Sequence, residues 1–257
     1  MRINVCVKQV PDPEHFPSGQ YDARGFLARG LFQMATNPVD KNACELALAL
    51  AGDDPVETYT VGPENAKQSL RDLLAMGATG ASIVTDPLLE GADLISTALS
   101  LAAAMQAKGG FDMVVCGKQS TDAGNGSLPA VLAEMLSVPC VLGAEKVELD
   151  GETILVHVPM DGGVFVWRVP LPAVISVTKN INTPRLPSLR GMTKAMQTPI
   201  AMFDLDALGI QLPVKKATII SQTPLKKEVK AQIIEGETTA DKVGKLVLAL
   251  KESGLSI

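Results

Sequence analysis

The chain has 257 residues, of which 46% are hydrophobic and 20% charged, enough to bury one substantial core with a smaller appended element. Its net charge of −5, with Lys and Arg scattered until the C-terminal third, argues against DNA or RNA, which require a basic patch. No stretch approaches the roughly twenty apolar residues of a membrane span, and Met1 to Val5 runs straight into a strand pattern, so a cytoplasmic protein without an export signal is expected.

Ile3–Val7 reads as the first strand. After an irregular stretch through Gly30, Asp40–Ala51 carries Ala, Leu and Cys at helical spacing. Val56–Val61 reads as a second strand ending at Gly62-Pro63. Glu64–Met76 reads as an amphipathic helix with Leu70, Leu73 and Leu74 on one side and Gly77 placed to end it. Ala81–Thr85, the helix Ala92–Lys108, the strand Asp112–Cys116 and the helix Ser127–Leu136, opening near Pro129, continue the alternation. Parallel strands need crossover connections, so this rhythm predicts a doubly wound, mostly parallel α/β sheet with helices on both faces.

From about Val141 the alternation stops. Val147–Leu149 and Thr153–Val158 flank an Asp150-Gly151 turn, Val164–Val169 follows a second turn, and Ala173–Val177 is apolar enough for a buried strand. An antiparallel excursion is therefore expected. Asn180–Pro199 has three prolines, three basic residues and no clear period, and is expected to lack regular structure. A charged, weakly structured stretch, Lys215–Glu237, leads to an amphipathic helix over Asp241–Leu250. The expected division is a nucleotide-binding α/β domain over 1–212 and an extended C-terminal arm ending in a helix over 213–257, the arm packing on a partner.

The stretch "VVCGKQSTDAGNGS" at 114–127 leaves an apolar strand, passes through small, hydroxyl-bearing and carboxylate residues, and meets a helix. Backbone N–H groups and the positive end of a helix dipole there suit an anion. The loop has neither the G-x-x-x-x-G-K-[ST] nor the G-x-G-x-x-G order. A plain structural loop capped by Ser127 is the competing reading; Asp122 either caps the loop or accepts from a nucleotide. The ends of the first two strands, Cys6 to Gln9 and Val61 to Pro63, could reach the same edge, where ligands of open parallel sheets collect. The residues thus favour a nucleotide site.

Other chemistry has little support. Cys6, Cys44, Cys116 and Cys140 are far apart with no C-x-x-C pair, and the only histidines are His15 and His157, so the cysteines read as buried small hydrophobes and no metal site is expected. Neither histidine has the setting of a general acid or base, and no catalytic residue is expected.

Five blocks, "VCVKQVPD" (5–12), "NPVDKNACELAL" (37–48), "TVGPENAKQSLRDLLAMGA" (60–78), "CGKQSTDAGNG" (116–126) and "INTPRLPSLRGMTKAM" (181–196), together with "KLVLALKESG" near the C-terminus, resemble in order the signature blocks of electron-transfer flavoprotein β subunits. The resemblance implies an αβ heterodimer in which the α subunit holds the redox-active FAD. It implies that the β subunit binds AMP or, in electron-bifurcating members, a second FAD. The implied nucleotide contacts are Cys6, Asn37, Pro38, Val39, Asp40, Val61, Gly117, Lys118, Gln119, Ser120, Thr121, Asp122, Ala123, Gly124, Asn125, Gly126, Ser127 and Leu128.

It also makes 180–197 a recognition loop for a partner dehydrogenase, such as an acyl-CoA or amine dehydrogenase, with Leu189 at its tip and Arg185 and Arg190 as a charged rim. Where many relatives have Gln and a Thr or Val followed by Gly, this chain has Ser127, Leu128 and Pro129. Where many have a carboxylate after the Gly-Gly turn, it has Val164-Phe165-Val166-Trp167. "TDPLLEGADLISTALSLAAA" is similar to bifurcating members, whereas "KQSTDAGNGS" and "NTPRLPSLRGM" are similar to those serving a single dehydrogenase. A stand-alone ATP-binding protein on the same kind of sheet is the alternative.

Overall fold

A computed structural model describes residues 1–15, 27–214 and 231–254. Its chain divides into two compact units, Met1–Gln222 and Thr223–Ile257. The strands are β1 (Ile3–Cys6), β2 (Gln9–Pro11), β3 (Met34–Thr36), β4 (Val56–Val61), β5 (Gly80–Val84), β6 (Met113–Gly117), β7 (Cys140–Ala144), β8 (Lys146–Asp150), β9 (Thr153–Met160), β10 (Gly163–Pro170), β11 (Ala173–Val177) and β12 (Ile200–Phe203). The helices are α1 (Pro38–Ala51), α2 (Lys67–Met76), α3 (Leu94–Ala107), α4 (Leu128–Leu136), α5 (Leu189–Gln197) and, in the second unit, α6 (Thr239–Glu252).

Seven strands make one parallel sheet in the order β12, β5, β4, β1, β6, β11, β7. Central strands are apolar on both faces because helices cover both: Ile3, Val5 and Val7 pack with residues of α1 and α2, while Cys6 packs with residues of α3 and α4. Small residues let the helices approach closely, with Ala43, Cys44 and Ala47 buried on α1 and Ala98, Ala102 and Ala104 on α3. The sheet is the doubly wound one expected. β1 lies beside β4 on one side, Val5 opposite Thr58, and beside β6 on the other, Val5 opposite Val115. The chain reverses direction across the sheet between β1 and β6, and a crevice opens there at the strands' C-terminal ends.

The antiparallel excursion is a separate sheet in the order β10, β9, β8, turning at Gly151 with φ +63°. β10 is an edge strand on which Val164, Phe165, Val166 and Trp167 are all about half exposed, so both of its faces and its outer hydrogen-bonding edge are uncovered.

The expectation of no regular structure over Asn180–Pro199 holds for residues 180–188 and is overturned beyond them. Residues 189–197 form α5, and the chain then enters β12, which pairs in parallel with β5, Ile200 opposite Ala81. Ser188 caps the helix by accepting from the Gly191 N–H at 3.0 Å. The periodicity went unread because α5 buries only Ala195. Gly191 sits against α2, where an added Cβ would fall 2.4 Å from the Ala75 carbonyl oxygen. Large apolar residues of this helix face away from the core, the reverse of the usual stripe. β7 and the small β2–β3 ribbon are likewise absent from the sequence reading.

In the second unit, Thr238 caps α6 through the Asp241 N–H at 3.2 Å, and Val243, Leu246 and Leu248 are exposed. Residues 215–230 of the charged stretch lie outside the described residues.

Candidate functional site: a nucleotide cradle at the crevice

The crevice is built from three pieces of backbone: the end of β1, the first turn of α1 and the loop after β6. Pro38 begins α1 with φ already suited to a helix and no N–H to orphan. Asn37, 1% exposed, precedes it and ties all three pieces together. Its N–H donates to the Lys8 carbonyl at 3.0 Å, its side-chain amide donates to the Gln119 carbonyl at 3.1 Å, and its Oδ1 accepts from the Thr121 N–H at 3.3 Å.

Asp40, in the same turn, is buried and accepts the Lys8 N–H at 2.8 Å. Burial pushes its carboxyl up to about 7 despite hydrogen bonds from the Lys8 N–H, the Asn37 side chain and the Gly117 N–H. Gly117 is required by this packing. A Cβ there would lie 2.2 Å from Asp40 Oδ1 and 3.1 Å from the Val39 carbonyl carbon. The loop then turns through Gly124 and Gly126, with φ +66° and +64°, values that L side chains rarely adopt.

Ser127 does not cap α4 as the competing reading supposed. It sits in helical conformation, with its N–H on Asn125 Oδ1 at 2.9 Å and its hydroxyl on the Asn125 carbonyl at 3.2 Å, and makes no side-chain cap. The first turn of α4 is therefore left without a side-chain cap, and Pro129 within it has no N–H to satisfy.

Two cations, not a helix terminus, hold the Asp122 carboxylate. Its side chain is 3% exposed; Oδ1 meets Lys8 Nζ at 2.8 Å and Oδ2 meets an Arg29 Nη. Lys8 Nζ also lies 3.3 Å from Ser120 Oγ. Burial by itself would raise the Asp122 carboxyl, but Lys8, Ser120 and Arg29 outweigh it and hold it below its ordinary value. A cavity of about 200 Å³ opens here, lined by Pro11, Pro13, Thr121 and Asp122. A larger cleft of about 570 Å³, lined by Met1, Asp54, Asp112 and Leu171 among others, lies at the opposite end of the strands, away from the converging loops.

Cys6 and Cys116 are buried on neighbouring strands beneath the cradle, and Val61 ends β4 beside them. Their burial, and that of Cys44, whose thiol burial pushes up to about 12, matches small hydrophobes. Lys118, Gln119, Thr121, Ala123, Gly124, Asn125 and Ser127 are on the exposed side of the loop, with Ser120, Gly126 and Leu128 half-buried. The histidines are engaged elsewhere: His15 with Asp12 at 2.9 Å and His157 with Glu148 at 2.9 Å. Among the described residues, no His, Cys, Asp and Glu group could hold a metal ion, and no helix is long and apolar enough to cross a membrane. Lys8 falls within the Cys6 to Gln9 strand end expected at this edge, whereas Arg29 is a site residue that the sequence does not mark. Arg29 lies in an irregular segment with no periodic signal, and only the fold brings it to a loop 93 residues away.

The 180–197 segment lies apart from the cradle residues in sequence, yet the same helix holds both. Two residues beyond Asp40 on α1, Asn42 Nδ2 donates to the Asn182 carbonyl at 2.9 Å, and further along Glu45 receives Arg185. Leu186 and Leu189 are 90% and 81% exposed. Leu189 is the first residue of α5, not the tip of an irregular loop, and Met192 and Met196 continue an exposed apolar stripe from it. Their i, i+3, i+7 spacing was the signal available for those two methionines.

The family model for the electron transfer flavoprotein domain matches residues 32–208. The chain is 31% identical to the caffeyl-CoA reductase-Etf complex subunit CarD of Acetobacterium woodii, covering 98% of each chain. It is 34% identical to the electron transfer flavoprotein subunit beta of Clostridium acetobutylicum, covering 90% of each, and 32% identical to that of Mycobacterium tuberculosis, covering 86% of this chain and 88% of the relative. With its parallel sheet, crevice and ordered blocks, the chain belongs to the electron transfer flavoprotein family, among its β subunits.

Proposed function

We propose that this chain is the β subunit of a heterodimeric electron carrier, shuttling electrons between a dehydrogenase and a downstream acceptor. It holds an adenine nucleotide in the cradle while a companion α subunit carries the redox-active FAD. The observation that carries this reading is the convergence of Asn37 to Asp40 and the Gly117–Leu128 loop on one crevice. Gly124, with open space where a Cβ would stand, leaves room for a ligand to approach the loop backbone, and the Lys8–Arg29 pair adds positive charge. These groups fit a nucleotide phosphate. A bound FAD would supply the electron-accepting ring; this chain's residues would bind and orient nucleotides and present docking surfaces.

Two surfaces suit partners. The uncovered apolar strand β10 and the exposed apolar residues of α6 fit association with the α subunit. Leu186, Leu189, Met192 and Met196, on a proline-flanked segment, fit a small dehydrogenase contact concentrated in a few anchors. AMP is the smaller ligand the cradle suits. A second FAD, in a bifurcating complex, is the alternative ligand, and the chain is similar along 98% of its length to a caffeyl-CoA reductase-Etf complex subunit.

Co-expression with the α subunit, followed by denaturation and mass analysis, tests the reading. One FAD with one AMP supports the single-flavin carrier, and two FAD support the bifurcating form. A complex that releases no adenine nucleotide attributable to this subunit overturns both.

A further inference from the structure

The nine-residue helix α5 is too short to be stable by itself, so its place on the molecule is decided by what holds it. The side it turns to α2 is made of small residues. Ala195 is its one buried residue, and Gly191, a turn earlier, lies where an added Cβ would meet the Ala75 carbonyl oxygen. A glycine and an alanine let the helices approach closely, but they bury little of the apolar area that normally fixes a helix on its neighbour. Leu189, Met192 and Met196, which could supply that area, are exposed.

Polar contacts at the two ends make up the difference. Ser188 accepts the Gly191 N–H at the start of the helix. At its finish Arg71, half-buried on α2 one turn before Ala75, donates from Nη1 to the carbonyls of both Ala195 and Thr198. The last carbonyls of a helix have no partner within it and form the negative end of its dipole, so a guanidinium there satisfies them and opposes their charge. β12 begins at Ile200 and ties the chain beyond Thr198 to β5, which leaves the helix itself to be held by Gly191, Ala195 and Arg71. We infer that Arg71 is a positioning residue for docking: by anchoring the last turn of α5 to α2 it holds Leu189, Met192 and Met196 in the arrangement that meets the dehydrogenase. The inference rests on α5 being the dehydrogenase contact, and it adds a residue of another helix that acts through that contact.

The test is steady-state reduction of the purified heterodimer by the dehydrogenase, with the heterodimer concentration varied, for the native protein, Arg71→Met, Arg71→Lys, Leu189→Ala and the Arg71→Met/Leu189→Ala double variant. Methionine keeps the apolar stem of Arg71 and removes its donors. Arg71→Met should raise KM about three- to tenfold and leave kcat within about twofold, and Arg71→Lys, which keeps the charge and can reach one carbonyl, should fall between it and the native protein. In the double variant the loss from Arg71→Met should be smaller than in the native background, because that loss acts through the placement of Leu189. The urea midpoint and the released nucleotide should match the native protein. A native KM in Arg71→Met beside a raised KM in Leu189→Ala overturns the inference and leaves the docking reading standing, as do losses that simply add in the double variant. A native KM in Leu189→Ala overturns the docking reading and the inference with it. If Arg71→Met lowers the urea midpoint, Arg71→Lys decides: a raised KM with a native midpoint supports the inference, and a native KM overturns it.

Discussion

Arg185 closes a two-point hydrogen bond on Glu45, with Nε to Oε2 at 2.8 Å and Nη2 to Oε1 at 2.9 Å, while its own backbone N–H also reaches Oε2 at 3.0 Å. The sequence suggested a rim charge steering a partner; the geometry makes Arg185 a clamp that fixes the 180–188 segment to α1. The arginine pulls the Glu45 carboxyl below its ordinary value, so the clamp is intact above about pH 4.5 and is lost as pH falls through the lowered value. Because Arg185 is about half exposed, the pair is worth on the order of 1 kcal/mol or less. Glu45→Ala should raise amide exchange over 182–188 with little change in global unfolding. Unchanged exchange there would show that Asn42 and Asn182 hold the segment without it.

Leu189→Ala should weaken the productive encounter with the dehydrogenase about ten- to a hundredfold, the value of burying one leucine, without changing α-subunit assembly or nucleotide content. Met196→Ala should give a smaller loss in the same direction, since both lie on the exposed stripe of α5. Partner reduction measured over a range of dehydrogenase concentrations checks this. Loss of flavin or unfolding in Leu189→Ala would contradict the exposure of that side chain.

Asn37→Ala removes two of the three links among β1, α1 and the loop: the side-chain contacts with Gln119 and Thr121 disappear, leaving the backbone bond to Lys8. The unpaired, partly buried loop groups should cost about 1–3 kcal/mol. Nucleotide should co-purify at well below the native stoichiometry, as measured by absorbance and mass analysis of the released ligand. Full occupancy in a folded variant would show that the loop holds its shape unaided.

Gly117→Ala should destabilise by overpacking, because the added methyl meets Asp40 Oδ1, on a side chain held by the Lys8 N–H, and the α1 backbone. Strain of about 1–3 kcal/mol is expected, read as a lower midpoint in urea. A midpoint equal to the native one would mean that Asp40 can move aside.

Asp40 sets a distinct pH signature in the nucleotide-free chain. Its carboxyl is raised from 3.8 to about 7, so between those values the folded chain keeps a proton that the unfolded chain has released. That contribution therefore declines as pH rises from about 4 to about 7, by up to roughly 1.4 kcal/mol per pH unit, and is constant above. Urea titrations from pH 5 to 8 should show this slope in the native chain and a flatter one in Asp40→Asn. Parallel slopes would place the ionisation elsewhere.

The alternation of period-2 and period-3.6 segments determined the doubly wound sheet, because strands buried on both faces and small-residue helices leave an unambiguous pattern in the chain. The same holds for the loop after β6, whose glycines and position between strand and helix follow from local backbone requirements. Neither α5 nor Arg29 could be read that way. α5 points its large apolar residues outward and is held by Ser188, Gly191 and the α2 surface, and a helix exposed in this way inverts the pattern that burial creates. Arg29 acquires its role only when the β2–β3 ribbon folds it over a loop 93 residues away, since charge pairing depends on distance in space and leaves no period along the chain.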